Sequence, residues 1–406
     1  MISFDNTEYA FEHKTTSELK KANFLFACMG KPWMVNAGLS IMPAAIKYRI
    51  PFTKSIIKST IFEQFVGGET LTDTMDAAQK LGKYNVDVIL DYGVEGGDDN
   101  DEAFNNAKEE FIKVIKYAST QPNIPFISIK VTGITSFALL EKVDDAMGKL
   151  EGTLQERFEK ATANLSPTEK IEWTFLVTRL DQICKAGAEK NIGVLVDAEE
   201  TWIQDPVDAL TMQMMEKYNK QKAIVYNTLQ MYRHDRLAFL KISFETADAK
   251  NFLLGVKVVR GAYMEKERKR AEEKKYNSPI QPNKESSDRD YNAAIEFIID
   301  HIEKIAVIVA SHNEQSNLYT TQLLDKKGLP HKHKHVHFSQ LYGMSDNITF
   351  NLAKSGCSVS KYLPFGPIDD VIPYLMRRAQ ENSSVSGQMG RELGLIKKEL
   401  ARRKGG

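Results

Sequence analysis

The sequence predicts an α/β protein: a (β/α)8 TIM-like barrel with an N-terminal helical extension and a helical insertion. Three observations predict it. Eight short apolar runs lie at residues 61–66, 86–92, 125–131, 192–197, 223–228, 253–259, 305–310 and 335–341. Longer amphipathic stretches separate them, and strands alternating with helices make parallel βα units. The chain has 406 residues, more than the roughly 250 that one such barrel needs. The surplus lies in two helical blocks, one before the first run and one between the third and fourth.

In chain order, residues 1–60 read as the helical extension, with apolar patches at 24–26 and 33–41. The barrel is expected over 61–390. Within it, the stretch from about 135 to 190 is rich in Glu, Lys and Ala and is broken at Ser166-Pro167, which reads as an inserted helical excursion. Residues 266–289 read as a charged helix followed by a loop. A ninth run, 357–363, is also strand-like. Residues 391–406 form a basic amphipathic tail.

Hydrophobic residues make up 42% and charged residues 27%, a balance that supports a folded core rather than disorder. Lys+Arg and Asp+Glu are both 54, so no basic excess points to nucleic acid. Cys28, Cys184 and Cys357 form no C-x-x-C pair, which fits a reducing compartment better than a disulfide framework. The first residues include Asp5, Glu8 and Glu12 and no apolar core of a targeting segment. The charge-free stretch 32–46 is shorter than the about 20 apolar residues of a membrane span. A cytoplasmic location is expected.

In a (β/α)8 barrel, catalytic groups stand at the C-terminal ends of the strands. Candidates there are Glu95, Lys130, Asp197, Gln230, Lys257, Arg260, Tyr263 and His312. Strand alternation puts Lys130 on one face with Ser128. A lysine in an apolar strand needs a partner, and Glu95 or Asp197 can supply one. A second constellation is Tyr374, Arg377, Arg378 and Glu381. On a helix, Glu381 reaches either guanidinium, and paired guanidiniums suit a carboxylate ligand. An exposed ion-pair helix is the competing reading. His331, His333, His335 and His337 would share a strand face, but the lysines between them argue against a metal, and none is expected.

The motifs SIKVTG, VDAEET, VKVVRGAYMEKER, ASHN, HFSQLYGMSDN and KYLPFGP…YLMRRAQEN occur together and in one order. From about residue 65 to 382 the chain resembles the proline dehydrogenases. The long insertion is similar to the human-like branch, and the absence of an aldehyde dehydrogenase domain after Gly406 resembles the monofunctional enzymes. The resemblance implies FAD, which no G-x-G-x-x-G signals here. It implies oxidation of L-proline to Δ1-pyrroline-5-carboxylate, with hydride passing from C5 to flavin N5. Electrons would then go to a quinone, as the first step of proline catabolism to glutamate. A separate pyrroline-5-carboxylate dehydrogenase would take the product.

By the same resemblance, Ala198, Gln230, Lys257, Arg260, Gly261, Ala262, Ser311 and His312 line the flavin. Lys257 stands where many bacterial relatives carry Arg. Lys130, Arg377 and Arg378 would bind the carboxylate, with Glu95 and Glu381 holding them. Tyr263, Leu341, Tyr362 and Tyr374 would enclose the ring. Asp197 would tie Lys130 or Tyr263 into the network, and Asp197, Lys257 and Tyr263 make up the expected catalytic set. Tyr362 against C4 of the ring predicts proline over 4-hydroxyproline. Hydroxyproline dehydrogenase is the alternative, and a Schiff-base lyase using Lys130 is a more distant one. Because a quinone resides in membrane, the basic tail is expected to make peripheral contact with anionic lipid at the inner membrane.

Overall fold

Eight strands close into a barrel in sequence order: Asp87–Tyr92 (β1), Phe126–Ile129 (β2), Gly193–Val196 (β3), Val225–Gln230 (β4), Leu254–Val259 (β5), Ile305–Ala310 (β6), Val336–Leu341 (β7) and Val359–Phe365 (β8). The structure is a computed structural model that describes residues 2–48, 50–93, 99–384 and 386–405. The chain divides into two compact units, Gly97–Phe338 and Met1–Gly96 with Ser339–Gly406.

In the unit Gly97–Phe338, β2 to β6 pair in parallel, with Lys257 opposite both Thr228 and Ile308. These strands are buried along nearly their whole length, as parallel strands covered by helices must be. The excursion between β2 and β3 is three helices, Phe137–Gly148, Leu154–Ala163 and Pro167–Lys190. Capping boxes start the last two: Thr153 with Glu156, and Ser166 with Glu169. Each pair satisfies backbone donors that the first turn leaves open. Trp173, Leu176, Leu180, Ile183, Cys184 and Gly187 form the buried stripe of the long helix at helical spacing.

In the other unit, residues 61–66 correct the sequence expectation. Residues 61–65 are helical, within Lys58–Phe62 and Glu63–Phe65, and Val66 follows the helix end in extended backbone, so the run is not a strand. Ile61 with Phe65 and Phe62 with Val66 sit four apart, so one helical face is buried. The run at 357–363 supplies the eighth strand instead, as β8, and pairs with β1 from Asp87↔Ser360 to Tyr92↔Phe365. The first strand is therefore β1, and the helix Thr74–Gly82 precedes it.

The tail also differs from a free lipid-binding arm. Residues Ser386–Gly405 are helical, and Leu395 and Ile396 are buried in one apolar cluster with Leu19, Phe26 and Phe65. Arg402 and Arg403 both bind Glu399, at 2.9 and 2.7 Å. Arg403 further donates to the carbonyls of Lys14 and Phe11, both at 2.8 Å. The apolar face expected to meet lipid is occupied by the protein's own core.

Candidate active site

The unit Gly97–Phe338 gathers the expected residues at the ends of β2 to β6. Lys257 is 5% exposed and forms an ion pair with Asp197, the residue after β3. With β4 between these two strands and helices outside, that reach runs through the barrel lumen. Asp197 Oδ1 also accepts from Ser128 Oγ at 2.6 Å. A buried carboxylate thus has a cation and a hydroxyl on it, which offsets its desolvation. The sequence reading gave Asp197 to Lys130 or Tyr263; the pair formed with Lys257 was not foreseen. Lys130 follows β2 and is half-buried.

The rest of VDAEET is used up in order. Glu199 accepts from Thr132 Oγ1 at 2.9 Å on both oxygens. Burial pushes its carboxyl up to about 7, against the pull of the Lys130 charge. Glu200 pairs with Lys266, and Thr201 donates from its backbone and its hydroxyl to Glu267, both at 2.7 Å. The loop after β3 is thereby tied to the helix Met264–Lys274, which Tyr263 precedes. Sequence reasoning passed over Glu199 and Glu200. Two acids directly after a barrel strand were the available signal.

Gln230, buried at the end of β4, donates to the carbonyl of Glu199 at 2.8 Å and accepts from the amide of Ala262 at 3.4 Å. It therefore joins the loops after β3 and β5, next to Ala198. Arg260 donates to Asp288 at 2.6 Å, Ser311 at 2.8 Å and Ser316 at 2.9 Å. Its guanidinium lies 4.4 Å from the centre of the Tyr291 ring. Three of its N–H groups are thus engaged, and among the described residues the other two of a guanidinium's five point to no acceptor. His312, beside Ser311, is half-buried. Gly261 has φ +134, and a Cβ there would lie 2.5 Å from the Tyr232 ring. Only glycine fits this turn without strain.

Ammonium, guanidinium, amide and hydroxyl donors therefore line the ends of β4 to β6. FAD brings carbonyl and ring-nitrogen acceptors and an anionic pyrophosphate, so the donor set and the two open positions on Arg260 fit such a group.

The second unit holds the remaining expected residues. Arg378 and Tyr374 are buried, with the guanidinium carbon 5.2 Å from the ring centre. Arg377 is half-buried on the same helix, Ile368–Ser384. Leu341 ends β7 and Tyr362 lies in β8; both are half-buried. Glu95 and the side chain of Glu381 lie outside the described residues.

The turn after Leu341 is held by a network that the sequence did not reveal. Tyr342 N donates to Tyr362 O at 2.9 Å. Lys361, 1% exposed, donates to the carbonyl of Met344 and pairs with Asp346 at 2.8 Å. Asp346 also meets Lys14 at 2.9 Å and His13 at 3.4 Å. These neighbours hold its carboxyl well below the usual range despite burial. Burial pushes His13 down to about 4 and Glu392 up to about 7, and Glu392 accepts from Ser345 N at 2.9 Å.

Of the four histidines of HKHKHVH, His333 and His335 have rings 5.7 Å apart in an edge-to-face contact. His335 Nδ1 lies 2.6 Å from the carbonyl of Ile302, and His331 meets Asp325 at 2.8 Å. His337 is buried, which pushes its imidazole down to about 3.

The family model described as proline dehydrogenase matches residues 74–391. The chain is 36% identical over 352 residues to the carbapenem antibiotics biosynthesis protein CarD of Pectobacterium carotovorum subsp. carotovorum, covering 86% of this chain and 85% of that one. It is 33% identical over 374 residues to "Proline dehydrogenase 1, mitochondrial" of Dictyostelium discoideum, covering 86% of this chain but only 65% of the relative. It is 32% identical to "Hydroxyproline dehydrogenase" of Xenopus laevis, covering 86% and 78%. The fold is similar to that of proline utilization A (PutA) from Bdellovibrio bacteriovorus, with a TM-score of 0.71 at 19% identity over 94% of this chain and 38% of that chain. With a barrel that closes in the same way and a family match over well more than half its length, the chain belongs to the proline dehydrogenase family.

Proposed function

We propose that this chain oxidises L-proline to Δ1-pyrroline-5-carboxylate, with FAD as the bound oxidant and a quinone as the final electron acceptor. The observation that carries this reading is the donor-lined rim around the buried Asp197–Lys257 pair. The family match supports it. The reaction removes a hydride from C5 and a proton from nitrogen. When bound, FAD supplies the two-electron acceptor that no side chain provides.

In this reading Lys130, Arg377 and Arg378 grip the substrate carboxylate, with Glu95 and Glu381 holding the cations. Tyr263, Leu341, Tyr362 and Tyr374 surround the ring and keep water from it. Orientation of the bound ring then lowers the barrier. The substrate amine must be neutral before hydride leaves, and nearby cations lower its pKa. Asp197 already accepts from Lys257 and Ser128, so its role is to position Lys257, not to take the proton. Lys257, Gln230, Arg260, Gly261, Ala262, Ala198, Ser311 and His312 hold the cofactor.

The product is an imine in equilibrium with an aldehyde, which a separate pyrroline-5-carboxylate dehydrogenase would consume. The work is placed in the cytoplasm, with peripheral contact at the inner membrane where the quinone resides. Hydroxyproline is the second reading, raised by the name of the Xenopus relative. Tyr362 argues against it, because its ring would crowd a 4-hydroxyl. Steady-state kinetics of Arg378→Met with proline test the clamp. The expected loss in kcat/KM corresponds to about 2–5 kcal/mol, and an unchanged value refutes it.

A further inference from the structure

Among the described residues, thirteen large hydrophobic side chains are exposed, and seven of them fall between residues 24 and 56: Phe24, Trp33, Ile41, Tyr48, Ile50, Phe52 and Ile56. They are between 53 and 80% exposed. Scattered exposed apolar residues are ordinary, but a concentrated set marks a surface that meets something.

The helix Pro32–Lys47 shows how the set arises. Val35, Leu39 and Met42 face the apolar core of their own unit. Trp33, Ala37 and Ile41, spaced by four, lie on the opposite face and are exposed. Among the described residues, apolar side chains therefore lie on both sides of the helix, with exposed Asn36 and Ser40 beside those on the outer one. Phe52 and Ile56 extend the exposed set onto the next helix, Thr53–Ile57, where Ile57 is the buried residue.

Charge identifies the occupant. Residues 19–62 contain no Asp or Glu and seven basic residues, in a chain whose net charge is zero. Lys21, Lys54 and Lys58 are matched by Glu63, Asp369 and Glu69. Lys20 and Lys31 are exposed, and no acid lies within ion-pair distance of either among the described residues. Exposed tryptophan, tyrosine and aliphatic side chains set among cations match the interface of a bilayer with anionic headgroups. No helix of the described residues is long and apolar enough to cross a membrane, so contact of this kind lies along the surface.

We infer that the exposed apolar face spanning residues 24–56 is a peripheral docking surface for anionic lipid. It takes the place of the basic C-terminal helix, whose apolar face is already packed. The inference rests on the peripheral membrane contact proposed above and names its surface, and it does not depend on which substrate is oxidised.

The test is co-sedimentation of the full-length purified protein with vesicles of phosphatidylcholine containing phosphatidylglycerol, and with vesicles of phosphatidylcholine alone. The expected result is pelleting with the anionic vesicles, reversed by high salt, and little with the neutral ones. Trp33→Gln/Ile41→Gln/Ile56→Gln should lower the bound fraction about tenfold with an unchanged melting transition. Ile171→Gln/Ile242→Gln, which removes exposed apolar residues elsewhere, should leave it unchanged. If the triple variant misfolds, Lys20→Glu/Lys31→Glu replaces it and should show the same loss. Equal pelleting with both vesicle types, or unaltered binding by the folded variants, overturns the proposal. So does a dimer in sedimentation velocity that the triple variant dissociates, since the occupant would then be a second copy.

Discussion

Lys257 in β5 reaches past β4 to form a buried ion pair with Asp197 at the end of β3, and Ser128 in β2 donates to the same carboxylate. Two polar contacts on one carboxylate thereby link the stretch from β2 to β5 inside the barrel. Removing one partner takes the opposite charge of the pair away from a buried ionised group. Lys257→Met or Asp197→Leu alone should destabilise the fold by about 3–5 kcal/mol. The double variant should cost less than the sum of the two. Urea unfolding of all four proteins checks this; strictly additive losses would show that the pair is not coupled.

Gly261→Ala should be harmful out of proportion to one methyl group. At φ +134 a Cβ would lie 2.5 Å from the Tyr232 ring. Backbone strain of this kind costs about 1–3 kcal/mol, and relief would shift the loop that carries Ala262. The expected outcome is weaker retention of FAD on gel filtration, with circular dichroism close to the parent.

Glu199 should make stability fall as the solution becomes more alkaline. Burial raises its carboxyl to about 7 in the folded chain, whereas an unfolded Glu titrates near 4.3. Between those values the folded state holds more protons than the unfolded one. Its contribution is therefore fully present below the lower value and is lost as pH rises through about 7. Glu199→Gln should flatten the melting temperature across that window; an unaltered slope would contradict the assignment.

Asp346 carries the opposite sign. Lys14 and Lys361 hold it well below the ordinary range, so its contribution is present above an Asp's usual value of about 3.9 and lost as pH falls toward the depressed one. Asp346→Asn leaves buried Lys361 and half-buried Lys14 facing a neutral group. It should cost about 3–5 kcal/mol at neutral pH, with a much smaller penalty in strong acid.

Tyr362→Ser should open space against C4 of the substrate ring. The expected outcome is a rise in kcat/KM for trans-4-hydroxyproline relative to L-proline. Equal turnover of both by the unsubstituted chain would count against the role given to Tyr362.

All eight strands were legible as apolar runs, the last of them through the ninth run at 357–363, because parallel strands buried on both faces leave little alternation to miss. The run at 61–66 failed because an apolar stretch of that length also fits a helix, and the four-residue spacing of Ile61 with Phe65 was the deciding signal. The site divides on the same principle. Residues at strand ends were found by position, whereas their partners were not. Asp288 and Ser316 on Arg260, Thr132 on Glu199 and Asp346 on Lys361 are distant in sequence and meet only through the fold. The buried strand lysines that needed a partner were Lys257 and Lys361, and both found one.

The most direct measurement is the visible spectrum of the purified protein before and after anaerobic addition of L-proline. The account predicts an oxidised flavin band that bleaches with proline and returns when a soluble quinone is added. A protein that neither carries nor takes up flavin, or whose flavin stays oxidised with proline present, would contradict it.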